Sequence, residues 1–194
     1  INITYIQPEG VSGAKYDTKG NKNTYHIVLD RNTDSNFSSW ATPDGTEFKH
    51  WLDVTPEAGV IGAGSTFGSG ESHKFTRDTI LEAVYEGTLS VTYKQPDQAG
   101  YAGSAVTVDK LAAGDYSLLS LQEVKAQAAD AWTTPDGAVF DGWALESDPN
   151  KTIIRNPYAL TVANAANAVF VAQYTIIPQT AQVVYKQPTD LEGA

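Results

Sequence analysis

Apolar and polar residues alternate in short runs along most of the chain, which is the period-two signal of strands with one buried face. Ile3-Thr-Tyr-Ile-Gln-Pro8 is one such run, stopped by proline, and its phrase returns as Val91-Thr-Tyr-Lys-Gln-Pro96 and Val183-Val-Tyr-Lys-Gln-Pro188. Further strands are expected over Thr24 to Leu29, Phe48 to Asp53, Thr79 to Tyr85, Ser104 to Val108, Ala138 to Leu145 and Ala168 to Tyr174. Gly10 to Asn23 reads as a loop and Asp30 to Ser39 as a polar turn. One stretch has the helical period: Leu118, Leu121, Val124 and Ala128 form a stripe inside the Gln, Glu, Lys and Ala-rich segment from Leu118 to Ala131, so a short helix is expected there.

The pattern repeats. Trp40-Ala-Thr-Pro-Asp-Gly45 followed by Phe48-Lys-His-Trp51 is matched by Trp132-Thr-Thr-Pro-Asp-Gly137 followed by Phe140-Asp-Gly-Trp143, an offset of 92 residues at both tryptophans. The two blocks hold all 4 tryptophans of the chain. Pro-Asp-Gly signals a turn, because proline presets φ and glycine takes a positive φ without a Cβ clash. Each block therefore reads as a turn running into an aromatic strand, with Trp51 and Trp143 as core anchors. Two copies of one module are the economical explanation, 1–88 and 89–178, with residues 179–194 beginning a third near Ala181. Between copies the polar loops change: Gly59 to Gly70 is glycine-rich, whereas Ser147 to Pro157 uses Asp, Asn and Pro.

Composition narrows the functional classes. A net charge of −10 and a pI near 4.6 repel phosphate backbones, so neither nucleic acid nor an anionic membrane surface is an expected partner. No apolar run approaches the roughly 20 residues of a membrane span. Cysteine is absent, which removes disulfides and thiolate chemistry. Methionine is absent too, even at position 1, where Ile1 opens a strand and not a signal peptide; a fragment of a longer, processed protein is expected.

Candidate chemistry is sparse. Gly62-Ala-Gly64 begins a dinucleotide-like glycine pattern, but its third glycine would fall on Phe67. Asp30 to Asn36 offers oxygen ligands at alternate positions, as a calcium loop does, yet Ser35 and Ala41 stand where such a loop needs glycine and glutamate. His26, His50 and His73 are spaced too widely for a helical zinc motif and have no counterparts in the second copy. Lys94 and Lys186, near strand ends, are the candidates for a Lys to Asn isopeptide crosslink. No catalytic residue, cofactor or metal ligand is expected. The candidate ligand-binding residues are Trp40 and Trp132, which would stack on a sugar if their indoles were exposed beside the turn.

Each copy thus has the form x-x-Thr-Tyr, loop, Pro-Asp-Gly turn, Phe-x-x-Trp, loop, Ala-x-Tyr. This resembles the Listeria/Bacteroides repeat, related to the internalin B-type repeat, of Gram-positive cell-surface proteins. Phe140-Asp-Gly-Trp143 matches the family core directly, and Phe48-Lys-His-Trp51 puts His50 at its glycine. Leu81-Glu-Ala-Val-Tyr85 and Val171-Ala-Gln-Tyr174 look like its closing strand, with Tyr where Trp is commoner. The resemblance implies an α+β, β-dominated fold: two tandem β-grasp-like modules of four to five strands with a short helix each. It also implies an extracellular, secreted or cell-wall-anchored stalk, spacer or adhesin segment without catalysis. Partners would be neighbouring repeats of the same chain, a host protein or a glycan.

Overall fold

Alternation along Asn2–Ile6 puts Ile3 and Tyr5 inside and their neighbours nearer the surface, and this run is β1. The computed structural model describes residues 1–56 and 64–178. Among them are β-strands in several sheets and two short α-helices, so the chain is a β-dominated α+β protein. The expected third copy, Lys186 and Gly62 of the glycine pattern lie outside the described residues.

β1, β2 (Tyr16–Lys19), β4 (Thr46–Asp53), β5 (Thr66–Phe67) and β7 (Thr79–Gly87) form a sheet in the order β2-β1-β7-β4-β5. β1 and β7 run parallel, with Ile3 opposite Thr79 and Ile6 opposite Glu82. The other pairings in this sheet are antiparallel. β3 (Tyr25–Ile27) and β6 (Ser72–Lys74) make a separate two-stranded ribbon. β8 (Leu89–Lys94), β9 (Val106–Leu111), β11 (Ala138–Leu145) and β13 (Val169–Ile176) form a sheet in the order β11-β13-β8-β9, and β10 (Gly114–Tyr116) pairs with β12 (Tyr158–Leu160) in a second ribbon. Read from its other edge, the four-stranded order is β9-β8-β13-β11. The strands carrying the repeated phrases therefore occupy the places of β2, β1, β7 and β4.

Three local differences from the sequence reading have physical causes. Gly10 to Asn23 contains β2, an edge strand whose residues are all exposed or half-buried, so it carries no apolar alternation to read. The helix, α1, spans only Leu121–Gln127. A capping box sets its start: Ser120 Oγ accepts from Glu123 N, and Glu123 Oε2 accepts from Ser120 N at 2.7 Å. Of the expected stripe only Val124 is fully buried. In the first copy the same stretch is a 3₁₀ turn, Ser35–Phe37, capped by Asp34 and burying Phe37. A second helix, α2 (Val162–Ala165), is a single turn with its own cap at Thr161, and nothing in the apolar pattern announced it.

Both Pro-Asp-Gly turns form. Thr46 N donates to Pro43 O and Ala138 N to Pro135 O, each at 3.1 Å, with Gly45 at φ 69° and Gly137 at φ 77°. Proline opens the turn and supplies its carbonyl, aspartate takes the first corner, and glycine takes the second with a positive φ. Each turn leads into a strand with a bulge, between Phe48 and His50 and between Phe140 and Gly142.

By density of contacts the described chain divides into two units that do not follow the sequence intervals 1–88 and 89–178. One comprises Ile1–Thr92, Thr107–Leu118 and Arg155–Val169; the other comprises Tyr93–Val106, Leu119–Ile154 and the chain from Phe170 on. Within the first, Ala113 N donates to Asp44 O at 3.2 Å. Glu86 accepts from both Lys49 Nζ and Lys110 Nζ at 2.8 Å. The Lys110 ammonium, and after it that of Lys49, hold the Glu86 carboxyl down at about 2.

Two outcomes follow for measurement. Truncating Trp143 to alanine in the core should lower stability to chemical denaturation by about 3–5 kcal/mol, and a loss under about 1 kcal/mol would overturn its role as an anchor. For Glu86, a folded value below the ordinary 4.5 means that its contribution is complete above the ordinary value and lost as pH falls toward about 2. Lys110→Gln should raise the Glu86 titration midpoint seen by carboxyl NMR. An unmoved midpoint would show that the pair does not form in solution.

Candidate functional site

The most developed polar arrangement lies inside the aromatic frame, and it occurs twice. In the first copy the buried hydroxyl of Tyr5 accepts from Leu29 N at 3.2 Å, while Trp51 Nε1 donates to Leu29 O at 2.8 Å. In the second, Tyr93 accepts from Leu119 N at 3.0 Å and Trp143 Nε1 donates to Leu119 O at 2.7 Å. The rings meet edge to face in both, at 4.9 Å for Tyr5 and Trp51 and 4.8 Å for Tyr93 and Trp143. Burial pushes the Tyr5 phenol up, against the lowering effect of the Leu29 hydrogen bond.

Two buried glutamines complete the arrangement. Gln7 Nε2 donates to Ala41 O and Gln95 Nε2 to Thr133 O; their Oε1 atoms accept from the hydroxyls of Tyr85 at 2.7 Å and Tyr174 at 2.9 Å. Donor and acceptor ends of each amide are therefore both used, as a buried amide requires. These are the glutamines of the repeated Gln-Pro phrase. The phrase was visible in the sequence; that its glutamine is a core residue bridging a closing-strand tyrosine to the Trp loop was not.

Trp40 and Trp132 are 6 % and 7 % exposed, so neither offers a ring face to a sugar. Their Nε1 atoms donate to Ala14 O at 2.9 Å and Ser104 O at 2.7 Å. They also pack at 75° against Trp51 and Trp143, with centroids 6.0 and 6.1 Å apart. The physical reason is the turn: it brings the indole back over the aromatic strand, where large apolar area is removed from water. Gly103 makes room for this, since a Cβ there would come within 2.3 Å of Trp132 Cδ1.

The residue the sequence did not single out is Arg31, 7 % exposed. Its Nε donates to Tyr85 Oη at 3.1 Å and its Nη2 to Trp40 O, Ala41 O and Thr42 Oγ1 at 3.0–3.1 Å. Its guanidinium carbon also lies 5.9 Å from the Trp40 ring centroid and 6.0 Å from that of Tyr85. Carbonyl oxygens and ring faces thus compensate a buried cation without a carboxylate. In the second copy Tyr101 stacks on Tyr174 instead, at 5.2 Å.

The other candidates disperse. Asp30 Oδ1 accepts from Asn32 N, and Asp34 Oδ1 from Asn36 N and Nδ2, so these carboxylates hold turns; the Asn32 N–H lowers the Asp30 pKa most. Among the described residues no group of three or more His, Asp or Glu converges as a metal site would need. His26 and His73 face each other across the β3–β6 ribbon, with His73 packed edge-on against Phe67 at 4.6 Å, whereas His50 sits apart in the β4 bulge. Lys94 pairs with Glu146 at the surface and not with an asparagine. Clefts of about 220 Å³, beside the Arg77–Asp53 ion pair, and about 240 Å³, beside Lys94 and Lys151, are each lined by residues of one copy only.

Comparison with known proteins gives no match: no family model, no curated protein and no solved structure aligns with the chain.

Gln95→Met should leave the Tyr174 hydroxyl without its acceptor, at about 1–3 kcal/mol, while the Thr133 carbonyl keeps the Ala102 N–H. Combining it with Tyr174→Phe should recover part of that loss, giving a coupling of about 0.5–3 kcal/mol in a double-mutant denaturation cycle. Strict additivity would show that the Gln95–Tyr174 bond contributes nothing.

Proposed function

We propose that this chain is a non-enzymatic tandem-repeat region of a bacterial cell-surface protein, two β-grasp-like modules over 1–88 and 89–178 that serve as the stalk or spacer of an adhesin. The observation that carries the reading is the parallel pairing of β1 with β7. These are the first and last strands of the first repeat, so tension enters at the start of one and leaves at the end of the other. Tension applied that way loads the whole β1–β7 ladder in shear, and its hydrogen bonds must break together instead of one after another. A segment built to transmit tension has that requirement.

The recurrence of the lattice supports the same reading. What both copies hold in common is tyrosine, tryptophan and glutamine facing inward, whereas the histidines, the Asp30 to Asn36 turn, Arg31 and both clefts belong to one copy each. Catalysis needs polar groups in fixed relative positions, and here the fixed positions are spent on the core.

Single-molecule pulling on the full chain tests this. Two separate unfolding events are expected, each releasing on the order of 300 Å for a repeat of this length at about 3.6 Å per residue. Extension without force peaks would overturn the spacer reading.

A further inference from the structure

The β3–β6 ribbon of the first repeat has an open edge. Val28 N donates to Glu71 O at 2.8 Å, and His26 lies opposite His73 between the flanking pairs Tyr25–Lys74 and Ile27–Ser72. Alternation along an antiparallel pair then turns the N–H and C=O groups of Tyr25 and Ile27 away from β6. No third strand joins the ribbon among the described residues, and no described residue accepts from those two N–H groups. The side chains of Tyr25 and Ile27 share the outward face with Lys74 and Ser72, and they are 69 % and 61 % exposed.

The second repeat supplies the contrast. Its β10–β12 ribbon has the same register, with Tyr116 opposite Tyr158 where His26 is opposite His73, and Leu119 stands at the place of Leu29. Asp115 therefore replaces Tyr25, Ser117 replaces Ile27 and Pro157 replaces Ser72. A charge on an edge strand and a proline without an N–H are devices that keep a sheet edge from pairing with another chain. They guard both edges of the second ribbon. In the first, β6 keeps Lys74, whereas β3 has neither device and offers an aromatic and a β-branched residue to a neighbouring strand.

Charge selects what pairs there. Residues 18–29 and 72–77 include Lys19, Lys22, Lys74 and Arg77 and no acid, in a chain of net charge −10. Arg77 is paired with Asp53. Lys22, in the turn that leads into β3, and Lys74, opposite Tyr25, place two exposed ammonium groups at the Tyr25 end of the edge. The acids next to these stretches are engaged: Asp17 accepts from Thr4 Oγ1, Asp30 from Asn32 N, Glu71 from Gly68 N and Asp78 from Asn2 N. A second copy of β3 brings no acid to this edge, so charge favours a different strand.

We propose that the open edge of β3 is a docking site for an extended segment of a partner protein, with apolar side chains that run into acidic ones. The segment adds as a third, antiparallel strand. Its backbone bonds Tyr25 and Ile27, its apolar side chains lie against theirs, and its acidic C-terminal end lies beside Lys22 and Lys74.

The test titrates the isotope-labelled full chain with a capped peptide of about eight residues, alternating valine and threonine and ending in glutamates. The amide signals of Tyr25 and Ile27 should shift and gain protection from hydrogen exchange, with a Kd of about a millimolar or tighter. Lysines in place of the glutamates should weaken binding about fivefold or more at low salt. Lys22→Glu combined with Lys74→Glu should reverse that preference. Tyr25→Asp combined with Ile27→Ser takes the second repeat's residues and should weaken binding about tenfold or more. Val162→Thr, at a site 60 % exposed on α2, should leave it unchanged.

A thermal melt establishes that each variant is folded. No response at Tyr25 and Ile27 by about ten millimolar peptide overturns the inference, as does equal binding of the two peptides or binding that survives the Tyr25 and Ile27 changes. Protection of those two amides without peptide overturns it too: if it grows with protein concentration a second copy holds the edge, and if it does not the chain's own residues do. The inference does not depend on the spacer reading. Two unfolding peaks from a chain that takes no peptide overturn this site alone, while peptide binding without force peaks overturns the spacer alone.

Discussion

The rest of the fold depends on how one backbone position in each copy is held. Leu29 and Leu119 have their N–H taken by a tyrosine hydroxyl and their carbonyl by an indole N–H, both from side chains buried in the sheet. A buried peptide group must be paired, and so must a buried indole N–H and phenol. One residue satisfies both side chains and is satisfied by them. The segment that crosses the sheet is thereby fixed in position without a helix to carry it, so it is a 3₁₀ turn in one copy and a capped helix in the other.

The glutamine and tyrosine pair does the same for the Trp loop. An amide that donates to the loop carbonyl and accepts from the closing-strand hydroxyl links three separated segments through one side chain. Around this link the copies diverge freely. Arg31 lies over Tyr85 in one copy and Tyr101 lies over Tyr174 in the other, so the site accepts either a cation or a ring against the phenol face. This tolerance has a limit: glycine is needed where the indole lies against the loop, at Gly13 and at Gly103, because any Cβ there meets the ring.

Strand placement gives that frame a direction. A sheet whose first and last strands are parallel neighbours sends its ends away from each other, whereas a hairpin would return them to one side. The aromatic lattice lies on the buried face of the same sheet, so the packing that stabilises the fold also backs the ladder that shear would load. The polar loops sit outside both, and their chemistry changes between copies without disturbing either.

The sequence by itself determined the strand-forming runs, the two Pro-Asp-Gly turns, the buried Trp51 and Trp143 and the duplication of the motifs, because period-two alternation and turn chemistry are local properties. It did not reveal β2, whose edge position leaves it without an apolar face, or the short reach of α1, which its capping box sets. Trp40 and Trp132 look alike in sequence whether they point outward to a sugar or inward to a core. The tertiary structure decided this, because burial depends on the path of the loop after the turn. Arg31 and the glutamines were equally undecidable: their partners lie from 5 to 79 residues away, and only the closed sheet brings the distant donors to their acceptors.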